Sequence, residues 1–195
     1  MSFIYIVPIE LKDHSYLEAL EKFISDTFHL KTKRKELGIS LKDVFDPSRE
    51  QYNSSLILQQ LIAKPPPDVE KILGVLDVDL FIPILTFVFG EAQLKGIGAV
   101  VSTHRLDNRF YGLPENKELT TERLLKEAVH ELGHTFGLIH CPQPQCVMNS
   151  STYVENIDQK SAEFCSSCQK SIKIEKRWTS TLSKWSPFSW WERKK

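Results

Sequence analysis

The sequence predicts a single α+β domain, and three observations lead there. At 195 residues the chain is long enough for one domain with a sizeable core. β-Branched apolar runs are interleaved with stretches whose apolar residues recur at helical spacing, so both element types are present. Connectors are long and no segment repeats another, which fits one mixed domain. Charge adds an exclusion. The 25 Lys and Arg balance the 25 Asp and Glu, so nothing in the overall charge calls for nucleic acid or an anionic membrane.

Phe3 to Ile9 is β-branched and aromatic, the composition of a central strand. It has no basic flank before it, and Pro8 and Glu10 interrupt it, so it reads as a buried first strand and not as a signal peptide. Asp13 or Ser15 can cap a helix carrying Leu17, Leu20, Phe23, Ile24 and Phe28 at helical spacing. Leu30 to Leu37 alternates loosely and is expected to be a strand, with a loop from Gly38 to Pro47. A second helix, about Ser48 to Ala63, stops at the run Pro65-Pro66-Pro67. Lys71 to Phe89 is apolar and β-branched and reads as a strand followed by a strand or an extended loop. Gly96 to Thr103 is another buried strand, and Arg105 to Glu118 a polar loop. A third helix starts near Thr120 or Thr121 with Glu122 in its first turn, and Leu125, Ala128, Val129, Leu132 and Phe136 form its buried stripe. No segment approaches the length of a membrane span.

That third helix carries His130-Glu131-x-x-His134, followed by Gly137 and His140. A helix advances about 100° per residue, so His130 and His134 share a face and can hold one metal ion between them. His140 lies six residues further on, roughly 240° round if the helix continued. The helix must therefore end near Gly137, where positive φ reverses the chain and returns His140 to the metal. Three imidazoles leave one tetrahedral position free, the arrangement of a catalytic zinc. Glu131 lies beside that position, placed to take the proton from a water attacking a carbonyl carbon.

All four cysteines follow: Cys141 and Cys146 spaced C-x4-C, then Cys165 and Cys168 spaced C-x2-C. Two such pairs suit a closed tetrahedral zinc site of four thiolates, a second and structural ion. Gathered thiolates would couple metal binding to folding. Their crowding into one short stretch fits a reducing cytoplasm better than a disulfide framework. Two other readings are weaker. A redox Cys-Ser-Ser-Cys pair would need a βαβ setting, and a nucleic-acid-binding zinc ribbon would need more basic residues than the connector from Val147 to Phe164 has.

This order of residues resembles the metzincin signature and, through Cys141 abutting the third histidine, Cys146, Met148, Cys165 and Cys168, the archaemetzincin family. The resemblance implies a zinc-dependent metalloprotease acting on peptide or protein substrates, with aminopeptidase-like trimming among the activities of the family. It also implies a twisted, mostly parallel sheet with an antiparallel edge strand, backing helices and a zinc-binding active-site helix. Residues 1–175 would form the protease domain, its upper half spanning residues 1–137 and its lower half residues 138–175. Met148 would be the turn methionine beneath the zinc, and Thr86 to Gln93 the edge strand bordering the cleft. An open edge would take an extended peptide by β-augmentation; a covered edge would take none.

A competing reading keeps both zinc sites for structure and makes the chain a non-catalytic peptide or partner-binding module, against which Glu131 argues. Residues 176–195 form a tail holding Trp178, Trp185, Trp190 and Trp191. Its aromatics either pack back over the domain or serve as an interfacial docking tail, and Pro187 breaks any long amphipathic helix there.

Overall fold

The structure, a computed structural model, describes residues 2–172. The Trp-rich segment 176–195 lies outside the described residues. The chain runs β1 (Phe3–Pro8), α1 (Leu17–Phe28), β2 (Thr32–Arg34), β3 (Phe45–Asp46), β4 (Gln51–Asn53), α2 (Ser54–Ala63), β5 (Val69–Leu76), β6 (Leu80–Phe81), β7 (Gly90–Ala92), β8 (Gly98–Ser102), α3 (Lys117–Thr135), α4 (Val154–Gln159) and α5 (Ser166–Ser171). The main sheet has the order β2-β1-β5-β8-β7. Its first four strands are parallel, and β7 alone runs antiparallel, against β8. This is the expected single domain, with a mostly parallel sheet and an antiparallel edge.

The apolar runs of β1 and β5 are continuous because both faces of the sheet are covered. Ile4, Ile6, Leu73 and Val75 pack with α1 and α3 on one face. Tyr5, Val7, Ile72 and Leu76 pack with Ile57, Leu58 and Leu61 of α2 on the other. Leu17, Leu20, Ile24 and Phe28 form the buried stripe of α1, with Phe23 partly buried beside it. Neither expected cap holds that helix, which begins after Tyr16. Asp13 instead accepts from the Ser15 backbone N–H (2.9 Å) in a local turn.

Several boundaries differ from the sequence reading, the expected strand Leu30 to Leu37 among them, of which only Thr32–Arg34 is strand. Only Ser54–Ala63 of the second helix is helical; Gln51–Asn53 pairs with β3 and β6 in a small sheet, and Asn53 caps the helix by accepting from Leu56 N (3.2 Å). The loop from Gly38 to Pro47 contains a 3-10 turn and β3. The polar loop before α3 contains 3-10 turns at His104–Leu106 and Asn108–Tyr111. Asn116 starts α3 three residues early by accepting from Leu119 N (3.0 Å), which puts Glu118 in the first turn and not Glu122. Of the expected edge segment, Gly90–Ala92 is strand, while Val88 makes a single bridge to Leu80.

The helix α3 is buried nearly all round, beyond the one stripe that its periodicity shows. Leu124, Ala128, Val129 and Leu132 are buried and Leu125 and Phe136 only partly so. On its other sides Arg123, Lys126 and Glu127 are also buried, each meeting a partner from the segment around α4. Arg123 forms a two-pronged pair with Asp158 (2.7 Å each), and Lys126 Nζ donates to Ile157 O (3.0 Å). Among the described residues no helix is long and apolar enough to cross a membrane.

Candidate metal centres

His130 and His134 project from α3 one turn apart, with Nε2 atoms separated by 3.1 Å. The helix ends as its glycine requires. Gly137 takes φ +97°, its N–H donates to His134 O (2.9 Å), and Leu138 N donates to Gly133 O (3.0 Å). The reversed chain brings His140 back, and one nitrogen from each of the three rings lies within 4.8 Å of the others. Bonds of about 2.0–2.1 Å from a tetrahedral zinc put its nitrogen ligands roughly 3.3 Å apart, so the donor set fits.

The outer nitrogens settle which atoms face the shared point. His130 Nδ1 lies 2.8 Å from Val147 O and His134 Nδ1 lies 2.7 Å from Leu138 O. A carbonyl only accepts, so each Nδ1 carries the proton and donates, leaving the Nε2 lone pair directed at the shared point. Burial pushes the pKa of His130 well below the usual range and lowers that of His134, which favours the neutral ring, the form that ligates. His130 is buried, His134 half-buried and His140 exposed, so the group opens to solvent on the side of His140.

Glu131 is 6% exposed. Burial raises its pKa well above the usual carboxylate range; Glu127 and Glu91 add to this and Lys160 opposes it. Its side chain lies along β7: a Cβ built on Gly90 would meet Glu131 Cγ at 2.7 Å and Oε1 at 2.9 Å. Met148 is fully buried under α3, and a Cβ on Gly133 would meet its sulfur at 2.5 Å. Cys141 N donates to Met148 O (2.9 Å), and Asn149 Nδ2 donates to Cys141 O (2.9 Å), fastening this turn to the strand of chain that leaves His140.

Sequence reasoning missed three residues that shape this region. Gly90 and Gly133 carry no signal beyond being glycine, and nothing in the sequence distinguishes Lys160 from a surface lysine. Its side chain is in fact 1% exposed. The ammonium lies 2.8 Å from Glu127 Oε1, itself on a side chain 4% exposed, as a charge contact and not an aligned hydrogen bond. It also donates to Asn149 O (3.2 Å).

The four cysteines form a second group, with one sulfur from each within 4.8 Å of the others. Cys141 Sγ is 3.7 Å from Cys165 Sγ, and Cys146 Sγ is 3.7 Å from Cys168 Sγ. Tetrahedral Zn–S bonds of about 2.3 Å put sulfurs roughly 3.8 Å apart, so these spacings fit a shared ion. No disulfide joins any of the four. The Cys168 backbone N–H pulls the Cys165 thiol down to about 7, while burial pushes Cys146 and Cys168 up.

Comparisons with known proteins converge. The model of peptidase family M54 matches residues 67–174. The archaemetzincin of Methanocaldococcus jannaschii is 40% identical over 171 residues, covering 87% of this chain and 92% of its own. The crystal structure of an archaemetzincin from Archaeoglobus fulgidus, complexed with malonate, aligns with a TM-score of 0.74 at 37% identity, over 87% of this chain and 99% of that one. A zinc-dependent peptidase from Methanocorpusculum labreanum aligns with a TM-score of 0.79 at 30% identity, over 87% and 100%.

Proposed function

The chain belongs to peptidase family M54, the archaemetzincins, and is thereby a zinc metallopeptidase; we propose that His130, His134 and His140 hold its catalytic zinc and that Glu131 is its general base. The observation that carries this reading is the convergence of three imidazole nitrogens within 4.8 Å, two of them oriented by Nδ1–H bonds to carbonyls. A zinc ion held there would polarise a scissile carbonyl and acidify water. Glu131, next to His130 on the same rigid helix, takes a proton from the attacking water and delivers it to the leaving nitrogen.

The edge strand β7 receives the peptide. Phe89 O and Gln93 N bond to β8, so by the antiparallel alternation the backbone groups of Gly90 and Ala92 turn outward. Those groups can pair with an extended substrate beside Glu131. The four cysteines hold a separate structural zinc that binds α5 to the turn before Met148. Cysteines kept reduced for that role suit a reducing cytoplasm. The domain divides at Gly137 into an upper half built on the sheet and a lower half that carries Met148 and the cysteines.

A diverse peptide library digested by zinc-loaded wild type and by Glu131→Gln, with products read by mass spectrometry, tests the assignment. Products from wild type that the variant fails to make support it. Equal digestion by both removes Glu131 from the mechanism, and silence from both, with zinc present, favours a non-catalytic peptide-binding module.

A further inference from the structure

We infer that Gly90 is a positioning residue of the reaction: the missing side chain at this point of the edge strand is the seat against which the Glu131 carboxyl is held. The inference rests on the reading of Glu131 as general base. A Cβ at position 90 would lie 2.6 Å from Val100 O, 2.7 Å from Glu131 Cγ and 2.9 Å from Glu131 Oε1, all closer than real Cβ atoms approach. Something would have to move, and three of the four candidates are held by the surrounding structure. Val100 O belongs to β8, which is flanked by β5 and β7 within the sheet. The strand β7 is tied from its opposite face. Ser54 Oγ donates to Glu91 Oε2 (2.5 Å) and Ser55 Oγ to Glu91 Oε1 (2.8 Å), so the first turn of α2 grips the residue next to Gly90. The backbone of α3 is buried against the sheet. The contact with Val100 O is relieved only by a small shift of the β7 or β8 backbone, whereas the two contacts with Glu131 are relieved by its side chain, the most easily displaced of the four.

Any Cβ at position 90 therefore displaces the carboxyl by about an ångström, and misplacing a reacting group by that much costs on the order of 10²-fold in rate. His130 and His134 are oriented by carbonyls elsewhere, so zinc binding is not involved.

The experiment compares zinc-loaded wild type, Gly90→Ala, Glu131→Gln and Gly98→Ala on a peptide that the wild type cleaves. Gly98 is the comparator because its Cβ would meet Ile62 and Leu58 on the far face of the sheet, away from Glu131. Gly90→Ala is expected to keep its zinc and its KM within about twofold while kcat falls on the order of 10²-fold. Gly98→Ala is expected to lose thermal stability but to keep the kcat of its folded molecules. A Gly90→Ala enzyme with wild-type kcat overturns the inference, and so does one whose loss is confined to KM, which would assign the glycine to peptide binding. Activity surviving in Glu131→Gln would instead sink the reading beneath it. If Gly90→Ala does not fold, the crystal structure of the zinc-loaded wild type decides: the Glu131 carboxyl in van der Waals contact with Gly90 sustains the seat, and a carboxyl turned away from β7 refutes it.

Discussion

Replacing Lys160 by methionine should destabilise the protein far more than a lysine substitution ordinarily does. The side chain is 1% exposed, and its ammonium sits 2.8 Å from the 4% exposed Glu127, so the change leaves a carboxylate buried with no counter-charge. Removing one member of such a pair costs about 3–5 kcal/mol, because desolvation of the survivor is no longer offset. The bond to Asn149 O goes too, and with it the link between α3 and the turn that follows Met148. For a chain of this size each kcal/mol moves Tm by roughly 2–4 °C, so the expected fall is about 6–20 °C. Thermal unfolding of the zinc-loaded protein measures it. Glu127→Met added to Lys160→Met should recover most of the loss, since an apolar pair of similar volume leaves no stranded charge. A single variant within about 1 kcal/mol of wild type would refute the reasoning.

Two further outcomes follow from local geometry. The Lys33 ammonium, helped by the Tyr5 hydroxyl, holds the Asp68 carboxyl down to about 2. A depressed carboxylate contributes stability above its unfolded pKa of roughly 3.9 and loses it as pH falls through the folded value, so an NMR titration should place the Asp68 midpoint near 2; a midpoint near the unfolded value would dismiss the pairing. Gly133→Ala would set a methyl 2.5 Å from the Met148 sulfur and should destabilise by about 1–3 kcal/mol in urea. If Met148→Ala in the same chain does not relieve that cost, the steric account of Gly133 is wrong.

The histidine and cysteine groups are legible in the sequence because their members lie within one short stretch and helix geometry dictates how His130, His134 and Gly137 relate. The central strands β1 and β5 are legible for a similar reason: each is a continuous apolar run buried on both faces. What escapes depends on partners distant in the chain. Gln51–Asn53 is strand only because β3 and β6 lie beside it, and no local residue says so. Periodicity gives α3 one buried stripe, yet Arg123, Lys126 and Glu127 are buried through partners between Ile157 and Lys160, and charge alone marks them as exposed. The value of Gly90 emerges only when β7 is laid against Glu131, across about forty residues of chain.

Zinc content and peptide turnover, measured on the same samples of wild type, Glu131→Gln, His134→Ala and Cys146→Ser, test the central claim most directly. The account predicts two zinc ions per chain with turnover for the wild type, two without turnover for Glu131→Gln, and one for each ligand variant. Wild-type turnover by Glu131→Gln, or a full zinc complement in His134→Ala, would contradict it.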